Sequence, residues 1–392
     1  MKIALVIERF NIALGGAERS VYEIAEQLRK MGQEVTILAS VSPARAEGVL
    51  SLCGDNLNKR VSFKVYRNAL EKHIAAVPYD LIHSTLPLNC ADVYQPLGGS
   101  YIETYLRNAA SYPNALVSAF KKSTYFLNTK RMQYLRAEED LCQNSTAVIA
   151  ALSHYVRDQY KRHFHLPDDR IAMTPNGVGT DLAIDAEQSR RCYGEVAAKL
   201  GIQKENTTIL LFGANNFRLK GLHDLLTAIA AFKRQTPSRR LVLIAAGSGK
   251  QEKYRALAKR LNIENDVYFT GYTNAIQNYL AICDVAVLPS YYDPCSRFIL
   301  EGLAIEKPVI TTRYNGASEF YQHYRHGIIL DEPNNIELFV KGLDFVSLPE
   351  NRIKMSEAIR QDALLESLSI ETHCTALMNL YQTIYNRKQN LK

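Results

Sequence analysis

The chain runs to 392 residues, more than one ordinary hydrophobic core accommodates, and so argues for two domains. Its 47% hydrophobic content excludes a disordered or fibrous protein, and a net charge of +7, from 47 basic and 40 acidic residues, suits an anionic substrate or membrane surface without arguing for nucleic acid. The seven cysteines (Cys53, Cys90, Cys142, Cys192, Cys283, Cys295 and Cys374) form no CxxC pair, so a reducing compartment is expected, with neither a disulfide framework nor zinc.

The first apolar run, Ile3–Ile7, ends at Glu8 and Arg9. It is too short for a signal-peptide core and reads as a buried strand. An amphipathic helix is predicted over 17–31 and strands over 34–38, 61–66, 80–83 and 146–150. No segment reaches the roughly 18 consecutive apolar residues that a membrane span needs. The stretch 101–136 breaks the rhythm: it holds Arg107, Lys121, Lys122, Lys130, Arg131 and Arg136 against the single acid Glu103, interleaved with Tyr105, Tyr112, Phe120, Tyr125, Phe126 and Tyr134. That composition fits contact with an anionic membrane surface, and equally a solvated helical pair covering a sheet edge. The turn-rich run Thr174-Pro-Asn-Gly-Val-Gly179 marks a hinge.

Beyond the hinge the alternation restarts, with strands predicted over 208–212, 241–245, 267–270, 285–288 and 308–311 and helices over 219–234 and 251–261. A last helical pattern, 370–386, follows the completed second sheet. The fold class is therefore α/β: two Rossmann-like, doubly wound domains facing each other across a cleft, with the C-terminal helix crossing back onto the first. The expected boundaries are 1–180, 181–369 and 370–392.

The most informative motif is Ser290-Tyr-Tyr-Asp-Pro-Cys-Ser-Arg-Phe-Ile-Leu-Glu301. A strand runs into a polar loop carrying Asp293, and a helix beginning near Arg297 carries Glu301. Two carboxylates, with seven residues between them, thus flank a helix N-terminus, whose unpaired amides and dipole favour phosphate while the carboxylates accept bonds from sugar hydroxyls. Gly15-Gly16, between the first strand and helix, lets a ligand approach the backbone, although the full GxGxxG pattern of an NAD enzyme is missing. Arg218 and Lys220 follow the second domain's first strand and suit a leaving diphosphate. His83, at a strand end, is a lesser candidate for acceptor contact. His154 reads as the neighbour of a capping Ser153, and Cys295 has no base partner for nucleophilic work. No HxH, DxD or HExxH pattern lies near these residues, so no metal is expected.

The pieces Gly15-Gly-Ala-Glu18, Pro175-Asn-Gly-Val178, Phe217-Arg-Leu-Lys-Gly221, Ala246-Gly-Ser-Gly249, Gly271-Tyr272 and the Asp293–Glu301 motif resemble the retaining, GT-B-fold glycosyltransferases of family 4, over nearly the whole chain. Asp92-Val-Tyr94 and the basic insertion make it most similar to the lipopolysaccharide core glucosyltransferases. The resemblance implies that Asp293 faces donor-sugar hydroxyls and Glu301 the ribose diol. Arg218 and Lys220 would hold the diphosphate, with Gly15 and Gly16 meeting the donor phosphate or the acceptor edge. The helix start at Arg297, with amides at Phe298 and Ile299, would cap the phosphates, and the backbone at Tyr272 would meet the base. Three departures stand out: Asp293 replaces the usual Glu, Ala214 replaces an arginine six residues before the lysine, and Leu97 replaces a histidine.

The implied activity is retaining, metal-independent transfer of a hexose, glucose from UDP-glucose foremost, to a lipopolysaccharide core or other lipid-linked glycan. It would need no cofactor beyond the donor. The expected location is cytoplasmic, peripheral on the inner face of a bacterial inner membrane. The alternatives are a GT-B-fold nucleotide-sugar epimerase and a non-catalytic sugar-nucleotide-binding subunit.

Overall fold

The computed structural model describes residues 1–11, 15–43, 47–58, 60–179, 182–202 and 207–390, with the backbone alone at Tyr125 and Lys130. The expected boundary at 180–181 and the side chain of Lys130 therefore fall outside the described residues. Contacts divide the chain into two compact units. The first holds Met1–Leu106, Ala119–Gly179 and Ser369–Lys392, and the second holds Arg107–Ser118 and Thr180–Leu368. Part of the basic segment expected wholly in the first domain thus groups with the second.

The first unit is built on a seven-stranded sheet: β1 (Lys2–Arg9), β2 (Glu34–Val41), β3 (Val49–Ser51), β4 (Leu81–Ser84), β5 (Val93–Tyr94), β6 (Val148–Ala151) and β7 (Ile171–Met173). Its order is β3-β2-β1-β4-β5-β6-β7 and all its pairs are parallel. Both faces are covered, which is why β1 reads as an unbroken apolar run: Ile3, Leu5 and Ile7 enter one core and Ala4 and Val6 another. The first core is closed by the helix Gly16–Lys30 and by the C-terminal helix Ile370–Asn390, which contributes Cys374, Leu377, Tyr381 and Ile384. Full burial of each large apolar side chain contributes about 1.5–3 kcal/mol.

One expected strand is a helix. Residues 61–66 lie at and within the start of Phe63–Ala76, because the Ser62 hydroxyl accepts the Val65 amide and caps it. The basic segment holds the helices Tyr101–Ala110, Ala115–Ser123 and Thr129–Asn144.

The second unit carries β8 (Thr207–Gly213), β9 (Arg240–Ala246), β10 (Val267–Gly271), β11 (Val285–Leu288), β12 (Val309–Thr312) and β13 (Gly327–Leu330). The order is β10-β9-β8-β11-β12-β13, again parallel. In both sheets the winding direction reverses beside the first strand, between β1 and β4 and between β8 and β11. Ligands of doubly wound sheets bind at the carboxyl ends of the strands at such a reversal. Lys220 follows β8 and Asp293 follows β11, so the fold itself brings them to one place.

Candidate active site

Glycine allows the loops at this reversal to interlock. At Gly213, the last residue of β8, a Cβ would come within 2.8 Å of the Phe298 ring. Gly221 has φ of 77°, and a Cβ there would lie 2.1 Å from the Pro289 carbonyl oxygen. The loop ending β8 is thereby laid against the loop that follows β11.

The contact delivers a charged pair. Lys220 Nζ donates to Asp293 Oδ2 at 2.7 Å and to the Tyr292 carbonyl at 2.8 Å. The two side chains keep 19% and 14% of their surface exposed, which leaves the pair open to a ligand. The Asp293 amide donates to the Tyr314 carbonyl at 2.9 Å, and the Asp293 carbonyl accepts from the Gly316 amide at 3.0 Å. Asp293 Oδ1 accepts from the Cys295 amide at 3.2 Å.

Eight residues on, Glu301 lies in the helix Arg297–Ala304 and is 5% exposed. Arg297 Nη2 approaches its carboxylate at 3.4 Å, one turn away. Phe298, Ile299, Leu300 and Leu303 bury the helix against the unit core. The ladder begins with the Leu300 amide donating to the Ser296 carbonyl at 3.2 Å, so the amides of Phe298 and Ile299 precede the first intrahelical donor. The result is a helix N-terminus with a carboxylate–cation pair on either side. Such a site favours phosphate between two acceptors for hydroxyl groups.

Other expected residues sit differently. Arg218 does not accompany Lys220 onto Asp293. Its Nη1 donates to the Asn108 carbonyl at 2.8 Å and to the Ser111 hydroxyl, and its Nη2 donates to Asn108 Oδ1 at 3.2 Å. The guanidinium lies 3.8 Å from the centre of the Tyr112 ring, so the second unit's own Arg107–Ser118 stretch holds this cation. Arg107 in turn lies 3.6 Å over the ring of Tyr314. Tyr272 follows Gly271 at the end of β10 and is 54% exposed. The Gly271 carbonyl accepts from the Gly247 amide at 2.9 Å, tying the β9 and β10 loops together.

In the first unit Gly15 is extended and its carbonyl accepts from the Arg19 amide at 3.2 Å, with Gly16 opening the helix. Glu18 one turn on has its pKa raised, chiefly by burial. His83 is no acceptor contact. It is buried, with Nδ1 bonded to the Tyr381 hydroxyl of the C-terminal helix, and burial lowers its pKa to about 3. Ser153 caps the helix that His154 opens. Cys295 is buried. Among the described residues no three His, Cys, Asp or Glu side chains are grouped as a metal site would require.

Asn315 escaped the sequence reading. It is fully buried, and its Oδ1 accepts from the amides of Ser296 at 3.0 Å and Ala317 at 3.1 Å. No charge or spacing pattern distinguishes it; its signal is its place in the turn after β12, beside Gly316.

Residues 14–182 match the family described as Glycosyltransferase Family 4, and residues 195–362 match Glycosyl transferases group 1. The chain is 22% identical over 328 residues to the lipopolysaccharide glucosyltransferase WaaG of Escherichia coli K12, covering 81% of this chain and 82% of that one. It is 24% identical over 367 residues to the lipopolysaccharide core biosynthesis glycosyltransferase LpsE of Rhizobium meliloti, covering 93% and 95%. In fold it is similar to the crystal structure of WaaG, with a TM-score of 0.75 at 20% identity over 95% of this chain and 98% of that one. It is also similar to Anabaena Alr3699/HepE in complex with UDP-glucose, with a TM-score of 0.69 at 17% identity over 98% and 100%.

Proposed function

Starting from a chain that belongs to the glycosyltransferases, a family 4 domain followed by a group 1 domain, we propose that it transfers a hexose with retention from a UDP-sugar to a lipopolysaccharide core or similar lipid-linked glycan. Glucose is the favoured sugar. The observation that carries this reading is the pair of carboxylate–cation contacts, Asp293 with Lys220 and Glu301 with Arg297, on either side of one helix N-terminus. WaaG supports the glucosyl and lipopolysaccharide assignments by its name, and the HepE complex supports UDP-glucose as donor.

In this scheme Glu301 accepts from the ribose hydroxyls and the helix amides receive the diphosphate. Lys220 moves from Asp293 toward the phosphate oxygens, leaving Asp293 to accept from the sugar hydroxyls. The acceptor oxygen bonds to the anomeric carbon on the face from which the phosphate oxygen departs. The departing diphosphate takes the acceptor's proton, and UDP and the glycoside result. The cations and amides offset the negative charge that grows on the leaving group, without a metal. Once Lys220 has turned to the phosphate, the role of Asp293 in this scheme is to orient the donor sugar through its hydroxyls.

The acceptor's lipid agrees with the basic segment. The helix Ala115–Ser123 has no buried residue and exposes Leu116, Val117 and Phe120 beside Lys121 and Lys122, with Phe126, Leu127 and Arg131 exposed after it. Exposed apolar and basic side chains along one stretch of chain suit an anionic leaflet, at about 1 kcal/mol per cation. No helix among the described residues is long and apolar enough to cross a membrane. The reading is therefore of a peripheral enzyme on the cytoplasmic face of a bacterial inner membrane.

The test offers the protein labelled UDP-glucose and a core glycolipid in anionic or neutral vesicles. The expected result is label on the glycolipid in α linkage, faster with anionic vesicles. An epimerised sugar nucleotide with no transfer would contradict the proposal.

A further inference from the structure

The loop that carries Asp293 runs from the end of β11 to the start of the helix Arg297–Ala304, and it is pinned at both ends by one pair of buried side chains. Thr311 Oγ1, on β12, donates to the carbonyl of Leu288, the last residue of β11, at 2.6 Å. The same oxygen accepts from Asn315 Nδ2 at 2.9 Å. Asn315 Oδ1 then accepts from the amide of Ser296, immediately before the helix, at 3.0 Å, and from the amide of Ala317 at 3.1 Å. In the middle of the loop, the two backbone bonds between Asp293 and the Tyr314 carbonyl and Gly316 amide fasten Asp293 to the chain on either side of Asn315. Thr311 and Asn315 are both fully buried.

We infer that Asn315, seconded by Thr311, is a positioning residue for donor binding: it fixes the distance between Asp293 and the amides at the helix start. This rests on the donor site proposed above. The physical case is the direction of each bond. Ser296 is the residue before the helix, yet its side chain makes no cap bond. The Asn315 carbonyl oxygen takes the amide that would otherwise be buried without a partner. Only an amide side chain supplies both the acceptor for two N–H groups and the donor for a hydroxyl whose own proton is already committed to Leu288. An alanine there leaves two buried amides unpaired, and the loop must shift to satisfy them. Asp293 and the helix start would then no longer hold the separation that a sugar joined to a diphosphate demands.

The experiment measures donor KM, kcat and thermal melting for Asn315→Ala, Thr311→Val and Thr311→Ser, with Asp293→Ala as reference. Asn315→Ala is expected to raise donor KM roughly 10-fold or more, in line with two lost buried bonds. Thr311→Val should raise it a few-fold, and Thr311→Ser, which keeps the hydroxyl, should restore the parent value. Folded Asn315→Ala or Thr311→Val protein with a lowered melting temperature and the parent KM would overturn the inference, since a purely structural role predicts that outcome. If Asp293→Ala also left the donor parameters unchanged, the proposed donor site itself would fall, a result distinct from failure at Asn315 alone. Should Asn315→Ala not fold, the valine–serine comparison at Thr311 decides the matter by the same two outcomes.

Discussion

The carboxyl ends of the two central strands, β4 in the first unit and β11 in the second, meet polar side chains in opposite ways. In the first unit the polar residues are neutral and turned inward. His83 bonds to the Tyr381 hydroxyl, Gln95 Nε2 lies 3.3 Å from His373 Nε2, and His373 Nδ1 lies 2.8 Å from the Pro175 carbonyl. All four side chains are buried beneath or within the C-terminal helix. Because Pro175 offers only a carbonyl, His373 Nδ1 must carry the proton, and its Nε2 then accepts from Gln95. In the second unit the residues are charged, paired as Lys220–Asp293 and Arg297–Glu301, and the first pair stays partly open. The same architecture therefore serves two ends. A buried neutral network fastens the helix that completes the sheet, whereas a partly open charged one can exchange its internal partners for those of a ligand.

The largest expected effect breaks the charged side. Lys220→Ala should lower kcat/KM by about 10²–10³-fold, the usual consequence of removing a group that stabilises a developing anion, with little change in melting temperature. A fall in stability that matched the fall in activity would erase the distinction between the two regions.

A smaller effect should appear on the neutral side. The native state holds His83 near a pKa of 3, against 6.5 for the exposed ring. Below pH 6.5 the unfolded chain takes up a proton that the native protein refuses until about pH 3. Stability tied to this ring is thus complete above pH 6.5 and is lost as pH falls through that window, at no more than about 1.4 kcal/mol per pH unit. His83→Gln should cost about 1–3 kcal/mol at pH 7 through the altered bond to Tyr381, while flattening the acid slope and leaving UDP affinity unchanged. Denaturant unfolding at pH 7, 6 and 5 checks the slope, and an unaltered slope would show that another group sets it.

The same contrast explains what was legible in the sequence. The apolar runs of β1, β8 and β11 announce a parallel sheet, and the Asp293–Glu301 spacing announces the helix start, because both depend on residue type and local period. Residues 61–66 misled, since alternation over so short a run fits a strand until Ser62 is recognised as a cap. Arg218 was placed by its neighbour Lys220, but its partners Asn108, Ser111 and Tyr112 lie more than a hundred residues away, beyond any local pattern. His83 looked functional from its place at a strand end; only the C-terminal helix, 298 residues on, shows that its bond is spent internally. Asn315 was invisible for a related reason, since an uncharged side chain that bonds only to backbone and a hydroxyl leaves no signature in composition or spacing.

The central claim is that the charged pairs flanking the helix start form a nucleotide-sugar site. Its most direct test is calorimetric titration of UDP into the parent protein and into Glu301→Ala. Loss of a charge-assisted bond to the ribose should weaken binding at least about 10-fold in the variant. Equal UDP affinity in the two proteins, with turnover unchanged, would contradict the account.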